Sequence, residues 1–155
     1  MGVKWNAREV VQTFRRYTKL WGQYGVPLRT IGQYVTEISK QAFDNQSDPA
    51  TGQAWPSLNP IYAAYKRKQR RSPQALIWGG HLKRGIGYSV TIPRVTIGPS
   101  VHYGVHHQFG TGGMSLGRSG GSRQSLPARP FLGLSPTHEK EIEKMISNFI
   151  TGKRG

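Results

Sequence analysis

From Leu28 to Phe43 the apolar residues Leu28, Ile31, Tyr34, Val35, Ile38, Ala42 and Phe43 return at intervals of three and four. That spacing gathers them on one face of an α-helix, and Pro27 is well placed to open it. It is the strongest helical signal in the chain. Upstream, residues 7–21 set Val10, Phe14, Tyr17 and Trp21 at helical spacing, with Arg15, Arg16 and Lys19 off the stripe. This predicts an amphipathic helix ended by Gly22 and Gly25. Its stripe belongs either to the core or against a neighbouring subunit. A third helix is expected near the C-terminus. Ser135-Pro136 starts it, Glu139 supports its first turn, and Ile142, Met145, Ile146, Phe149 and Ile150 form its apolar stripe.

Between the helices the pattern changes. Residues 44–60 are rich in turn signals, Asp48-Pro49 and Thr51-Gly52 among them. Trp55 lies inside this segment and is expected to plug the core from a loop. Asn59 followed by Pro60 reads as an N-cap with proline at the first helical position. The short helix that follows ends in Lys66, Arg67, Lys68, Arg70 and Arg71, cations that complement the carbonyl end of a helix. This basic run is either a solvated helix end or a contact for a polyanion. Gly79-Gly80 suggests a turn before His81-Leu82-Lys83. Tyr88, Val90 and Ile92 alternate with polar residues, Pro93-Arg94 makes a tight connection, and Val95-Thr96-Ile97 alternates again. An antiparallel hairpin is expected. Val101–Phe109 fits a short helix or a strand.

The stretch from Val95 to Leu134 has apolar ends, VTIGPSVHYGVHHQFG and LPARPFLGL, around an insert, TGGMSLGRSGGSRQS, with little apolar side chain. An ordered frame around a long pliable loop is a common way to present a partner-binding surface, though an inconsequential surface insertion has the same composition. Phe109 and Phe131 mark the apolar ends as structural anchors beside Trp55. The fold class expected is α+β: N-terminal helices, a small antiparallel sheet with a long flexible loop, and a C-terminal helix. Residues 1–25 are read as a helical extension and 26–155 as a single α+β domain, its flexible loop at about 110–126.

At 155 residues the chain suffices for one domain with its own core. With no cysteine, disulfides, thiolate metal sites and a cysteine nucleophile are excluded. No apolar run approaches the ~20 residues of a membrane span, and the N-terminus does not resemble a secretory signal, so a soluble, intracellularly made protein is expected. Lys and Arg number 22 against 7 Asp and Glu, a formal net charge of +15. Such an excess attracts polyanions and acidic partners and says nothing of the fold.

Catalytic chemistry finds little support. His102 and His106 stand four apart, but Tyr103, Gly104 and Val105 between them break the HExxH pattern, and nothing ties His81 or His138 to them. A histidine packed and hydrogen-bonded near a turn accounts for the cluster of His102, His106 and His107 better than a metal site does. Three of the seven carboxylates, Glu139, Glu141 and Glu143, sit in the last helix, while Asp44 and Asp48 suit turns. No phosphate-binding glycine motif, zinc finger or RNP pattern is present. The expectation is a protein that is not an enzyme and carries neither metal nor cofactor.

Four blocks in order carry a resemblance. The first is a helix ending in Phe43, followed by Asp48-Pro49, Gly52, Trp55, Leu58 and Lys66. The second is Leu76 with Gly80-His81-Leu82. The third is Val95-Thr96-Ile97-Gly98 with Tyr103 and His107-Gln108-Phe109-Gly110. The last is Pro127-Ala128-Arg129-Pro130-Phe131-Leu132-Gly133-Leu134-Ser135 before a closing helix. Together, over roughly residues 28–150, they resemble the phage virion morphogenesis family of tail completion proteins. Residues 1–25 depart from it.

The resemblance implies a structural virion protein of a tailed bacteriophage, acting in tail completion or head–tail joining without catalysis. It implies self-association in a neck or tail-terminator ring, expected as a hexamer, between neck or connector and tail tube proteins. Packaged DNA is a further candidate partner; a membrane is not. The expected location is the tail or neck of the virion, with assembly in the host cytoplasm. Gly112, Arg118 and Arg123 are then candidates for an assembly loop, and Lys66, Arg67, Lys68, Arg70 and Arg71 for contacts to DNA or an acidic partner. The competing class is a basic nucleic-acid-binding protein, whose affinity would fall steeply with salt. A third, a hydrolase built on the histidines, would hold stoichiometric metal.

Overall fold

The helix α1, Gly25–Asn45, buries Ile31, Val35, Ile38, Ala42 and Phe43 along the face that the three-and-four spacing marks out. The computed structural model describes residues 25–112 and 125–151. The expected helix over residues 7–21, most of the Gly/Ser insert with Arg118 and Arg123, and the basic end Lys153–Gly155 lie outside the described residues. Gly32, Thr36 and Ser39 are also buried in α1, a row of small side chains against which a sheet can press closely. A Cβ on Gly32 would stand 2.6 Å from Cγ of Tyr88, so only glycine admits that ring.

The sheet pressed there is the expected hairpin. Strand β1, Ile86–Thr91, pairs antiparallel with β2, Arg94–Pro99, in the register Tyr88↔Ile97 and Val90↔Val95. Three short helices complete the frame: α2 (Pro60–Lys68), α3 (His81–Arg84) and α4 (Gly104–Phe109). The last helix, α5 (Pro136–Thr151), packs on α1, with His138 edge-on to Tyr34 at 6.2 Å. The architecture is α+β with a C-terminal helix, and Val101–Phe109 resolves as a turn leading into helix.

At the lower end of α1 the core closes around three rings. Phe43 and Phe131 are fully buried with centroids 5.4 Å apart, and Trp55 meets Phe43 edge-on at 5.5 Å. Trp55 arrives there from the 44–60 loop because the backbone is turned beneath it. The Asp48 carboxylate accepts from Ala50 N at 2.8 Å and Thr51 Oγ1 at 2.9 Å, and Trp55 N donates to Gln46 O at 2.8 Å. Its indole Nε1 donates to Pro130 O at 2.7 Å, so the ring is held in position as well as buried. Asn59 caps α2, its Oδ1 accepting from Ile61 N at 2.9 Å ahead of Pro60.

Two expectations are corrected. Phe109 is not an anchor: it is 76% exposed at the end of α4. The inward position belongs to its neighbour Gln108, whose Oε1 accepts from Phe131 N and Leu132 N while Nε2 donates to Leu132 O at 2.8 Å. One residue further along a helix is a rotation of about 100°, which turns Phe109 outward. Lys66 is not a surface cation either: it is 1% exposed. Its ammonium donates to Gln74 O at 2.7 Å and Ile77 O at 2.9 Å, binding α2 to the segment behind it. No helix of the described residues is long and apolar enough to cross a membrane.

Candidate functional site

The α2 helix places Tyr62 and Tyr65 three residues apart on its outer face, where the 76–80 segment brings up Trp78. All three rings are exposed, at mutual centroid separations of 6.5, 6.5 and 6.0 Å with planes inclined by 18–30°. Three nearly equal separations put them at the corners of a triangle, so they tile a surface rather than pile into a column. The Arg71 guanidinium lies 5.4 Å from the Trp78 ring and adds a cation to the tile. Arg67, Lys68 and Arg70 are exposed as well.

Beside the tile is a groove of about 930 Å³, walled by α2, residues 76–82, Tyr103 and His107, and the segment 125–129. Two buried cations hold its walls. Lys66 fixes residues 74–77, and burial lowers the pKa of its ammonium, with carbonyl oxygens as its hydrogen-bond partners. Arg129, 5% exposed, donates from Nε to Pro56 O at 2.9 Å and from Nη2 to Ser57 O at 3.0 Å. Burial lowers the pKa of its guanidinium too. His107 lies against the same wall. Burial, then the Arg129 charge, then His106 push its pKa below the ordinary histidine value, and its buried Nδ1 has no hydrogen-bond partner among the described residues.

The insert begins and ends at this groove. Thr111 N donates to Leu126 O at 3.1 Å and Leu126 N to Thr111 Oγ1 at 2.9 Å, pinning the two ends of the loop together. Gly110 sits at φ 72 with Leu126 O and Ala128 N 2.9 Å from where a Cβ would be, so this crossing requires glycine. Ser125, Leu126 and Pro127 line the groove as they leave the pin. Gly112, also at positive φ, is exposed just beyond it.

The structure thus separates the candidate residues. Arg67, Lys68, Arg70 and Arg71 are available at the surface; Lys66 has become a structural cation. Trp55 and Phe131 lie in the core beneath the groove, and Phe109 is at the surface. His102 precedes the first residue of α4, so it shares no helix with His106. Among the described residues no group of three His, Cys, Asp or Glu forms a metal-ligand cluster. Sequence reasoning missed the tile, Gln46, Gln108 and Arg129. Gln46 joins α1 to Ala75, with Oε1 accepting from Ala75 N at 2.6 Å and Nε2 donating to Ala75 O at 3.2 Å. Tyr62 and Tyr65 did carry a signal, two aromatic residues three apart on a predicted helix; Trp78 acquires its partners only through the fold. Chemically the site offers broad contact area bordered by cations. Rings accept flat or branched apolar groups, and guanidinium groups pair with carboxylates or phosphates.

A model of the phage virion morphogenesis family matches residues 5–151. The chain is similar to protein G of Escherichia phage Mu, whose name assigns it to capsid assembly, at 29% identity over 116 residues, 74% of this chain and 71% of that protein. It is similar also to the Mu-like prophage FluMu G protein 1 of Haemophilus influenzae, at 28% identity over 153 residues, 96% of this chain and 93% of that one. No solved structure matches. With the family model covering nearly its whole length, the chain belongs to the phage virion morphogenesis family.

Proposed function

We propose that, within the phage structural and assembly role its family assigns, this chain completes the tail or joins it to the head, as a subunit of a homo-oligomeric ring at the neck or tail terminus. In this reading it is a contact protein and not an enzyme. The observation that carries it is the pinning of a long Gly/Ser insert, by Thr111 and Leu126, at the rim of an exposed aromatic groove. The groove with the loop pinned at its rim supplies one of the two unlike faces that a ring subunit offers its neighbours. The direct test is localisation. Gold-labelled antibody against the chain should mark the head–tail junction of purified particles; label absent from particles, or spread over the capsid shell, contradicts the proposal.

A second reading, nucleic-acid binding, is favoured by the exposed run Arg67, Lys68, Arg70 and Arg71 beside stacking rings. Its mark is salt dependence. Neutralising those four cations should weaken DNA retention and flatten its slope against salt if phosphates are the partner. Association of the chain with itself through apolar surface should survive the same salt.

A further inference from the structure

The last helix does not use all of its apolar surface. Ile142, Met145 and Phe149 share one face of the helix and are half-buried. Ile146 and Ile150 are each 39% exposed, and no residue of α5 is fully buried. Taking 100° per residue, Glu139, Glu143, Ile146 and Ile150 fall in one row on the outward side of the helix. Glu143, Ile146 and Ile150 border a shallow hollow of about 290 Å³ there. Of the other carboxylates among the described residues, Glu37 is exposed on α1, Asp44 pairs with Lys83, Asp48 is taken up by its turn, and Glu141 pairs with Lys144. Glu139 and Glu143 form no ion pair among the described residues. In a chain of net charge +15 this row is a strip of opposite character, two carboxylates followed by two isoleucines.

The groove has the complementary character. Its tile is aromatic, Ile61 beside it is 81% exposed, and the Arg71 guanidinium lies 5.4 Å from the Trp78 ring. No residue of α5 lines it, so one molecule carries two separate faces that fit each other in charge and apolarity. We propose that the Glu139–Ile150 row of one copy seats on the aromatic groove of a second copy, its isoleucines on Tyr62, Tyr65 and Trp78 and its carboxylates toward Arg71. This rests on the ring reading above and deepens it by naming the joined surfaces. Symmetric pairing is disfavoured from both sides. Groove against groove sets arginine against arginine, and row against row sets Glu139 and Glu143 against themselves. Unlike faces joined head to tail close into a ring or run on as a filament.

The chain has no cysteine, so introduced thiols report this contact without background. Full-length Tyr62→Cys and Ile146→Cys proteins are mixed, in concentrated solution and in purified particles, and treated with a short bismaleimide. The expected result is a covalent dimer from the mixture and none from either variant alone. Adding Glu139→Arg and Glu143→Arg to the Ile146→Cys protein should cut the yield about ten-fold or more, since like charges facing across a contact cost several kcal/mol. Arg71→Glu in the Tyr62→Cys protein should recover part of it. Equal products from the single variants, or no mixed product in either setting, overturns the inference. So does a groove that single-stranded DNA occupies in place of the helix. Particles that contain the chain but give no mixed product leave the ring reading standing and sink only this contact; particles that lack the chain overturn both.

Discussion

Lys66 shows how far a residue's role can lie from its neighbours' in the sequence. It is the first of five cations that read as one basic run, yet helix geometry turns it inward while Arg67 and Lys68 turn out. Truncation leaves Gln74 O and Ile77 O short of a charged donor in a buried place, so Lys66→Ala should lower unfolding stability by about 1.5–3 kcal/mol. Lys68→Ala, one turn end away and exposed, should change it little. Chemical denaturation of the two variants checks this. His107 gives a pH prediction. Its pKa in the folded chain is depressed, so the unfolded chain takes up the proton more readily. The stability it contributes is full above the ordinary histidine value of 6.5 and is lost as pH falls through the lower folded value. Melting temperature should therefore fall from neutral to mildly acidic pH, and His107→Gln should flatten that fall. Neither Lys66 nor Phe109 was placed by composition, because a single helical step decides which side chain meets the core.

Elements were more legible than residues. The three-and-four repeat located α1, and period-two alternation located both strands, because each burial pattern repeats over several residues. α4 was ambiguous: six residues, Gly104 to Phe109, are too few to separate the two periods. The stripe of α5 was visible, but periodicity reports which side of a helix is apolar and not what covers it. Ile142, Met145 and Phe149 are half-buried here, while Ile146 and Ile150 are each 39% exposed. The groove escaped altogether, since Trp78 joins Tyr62 and Tyr65 only when the 74–77 carbonyls close on Lys66. At this scale the 44–60 loop depends on its tryptophan. Trp55→Ala removes a buried ring against Phe43 and the bond to Pro130 O, and should cost roughly 3–5 kcal/mol, much of a small domain's stability. A melting temperature within a few degrees of the parent would contradict that placement.

For the whole molecule, a net charge of +15, an exposed aromatic groove and a pinned insert support the proposed joining role. The pin at Thr111 and Leu126 makes folding and assembly separable. Replacing residues 113–123 by a short Gly/Ser linker should leave thermal stability nearly unchanged, as loop closure costs only ~0.6 kcal/mol per doubling of length. The same variant should fail to complete particles. The most direct measurement of the central claim is electron microscopy of lysates from a phage lacking this chain, with and without the chain supplied in trans. Filled heads and separate or unterminated tails are expected without it, and joined infectious particles when it is restored. Normal particles without the chain, or a defect confined to capsid shells that never form, would contradict it.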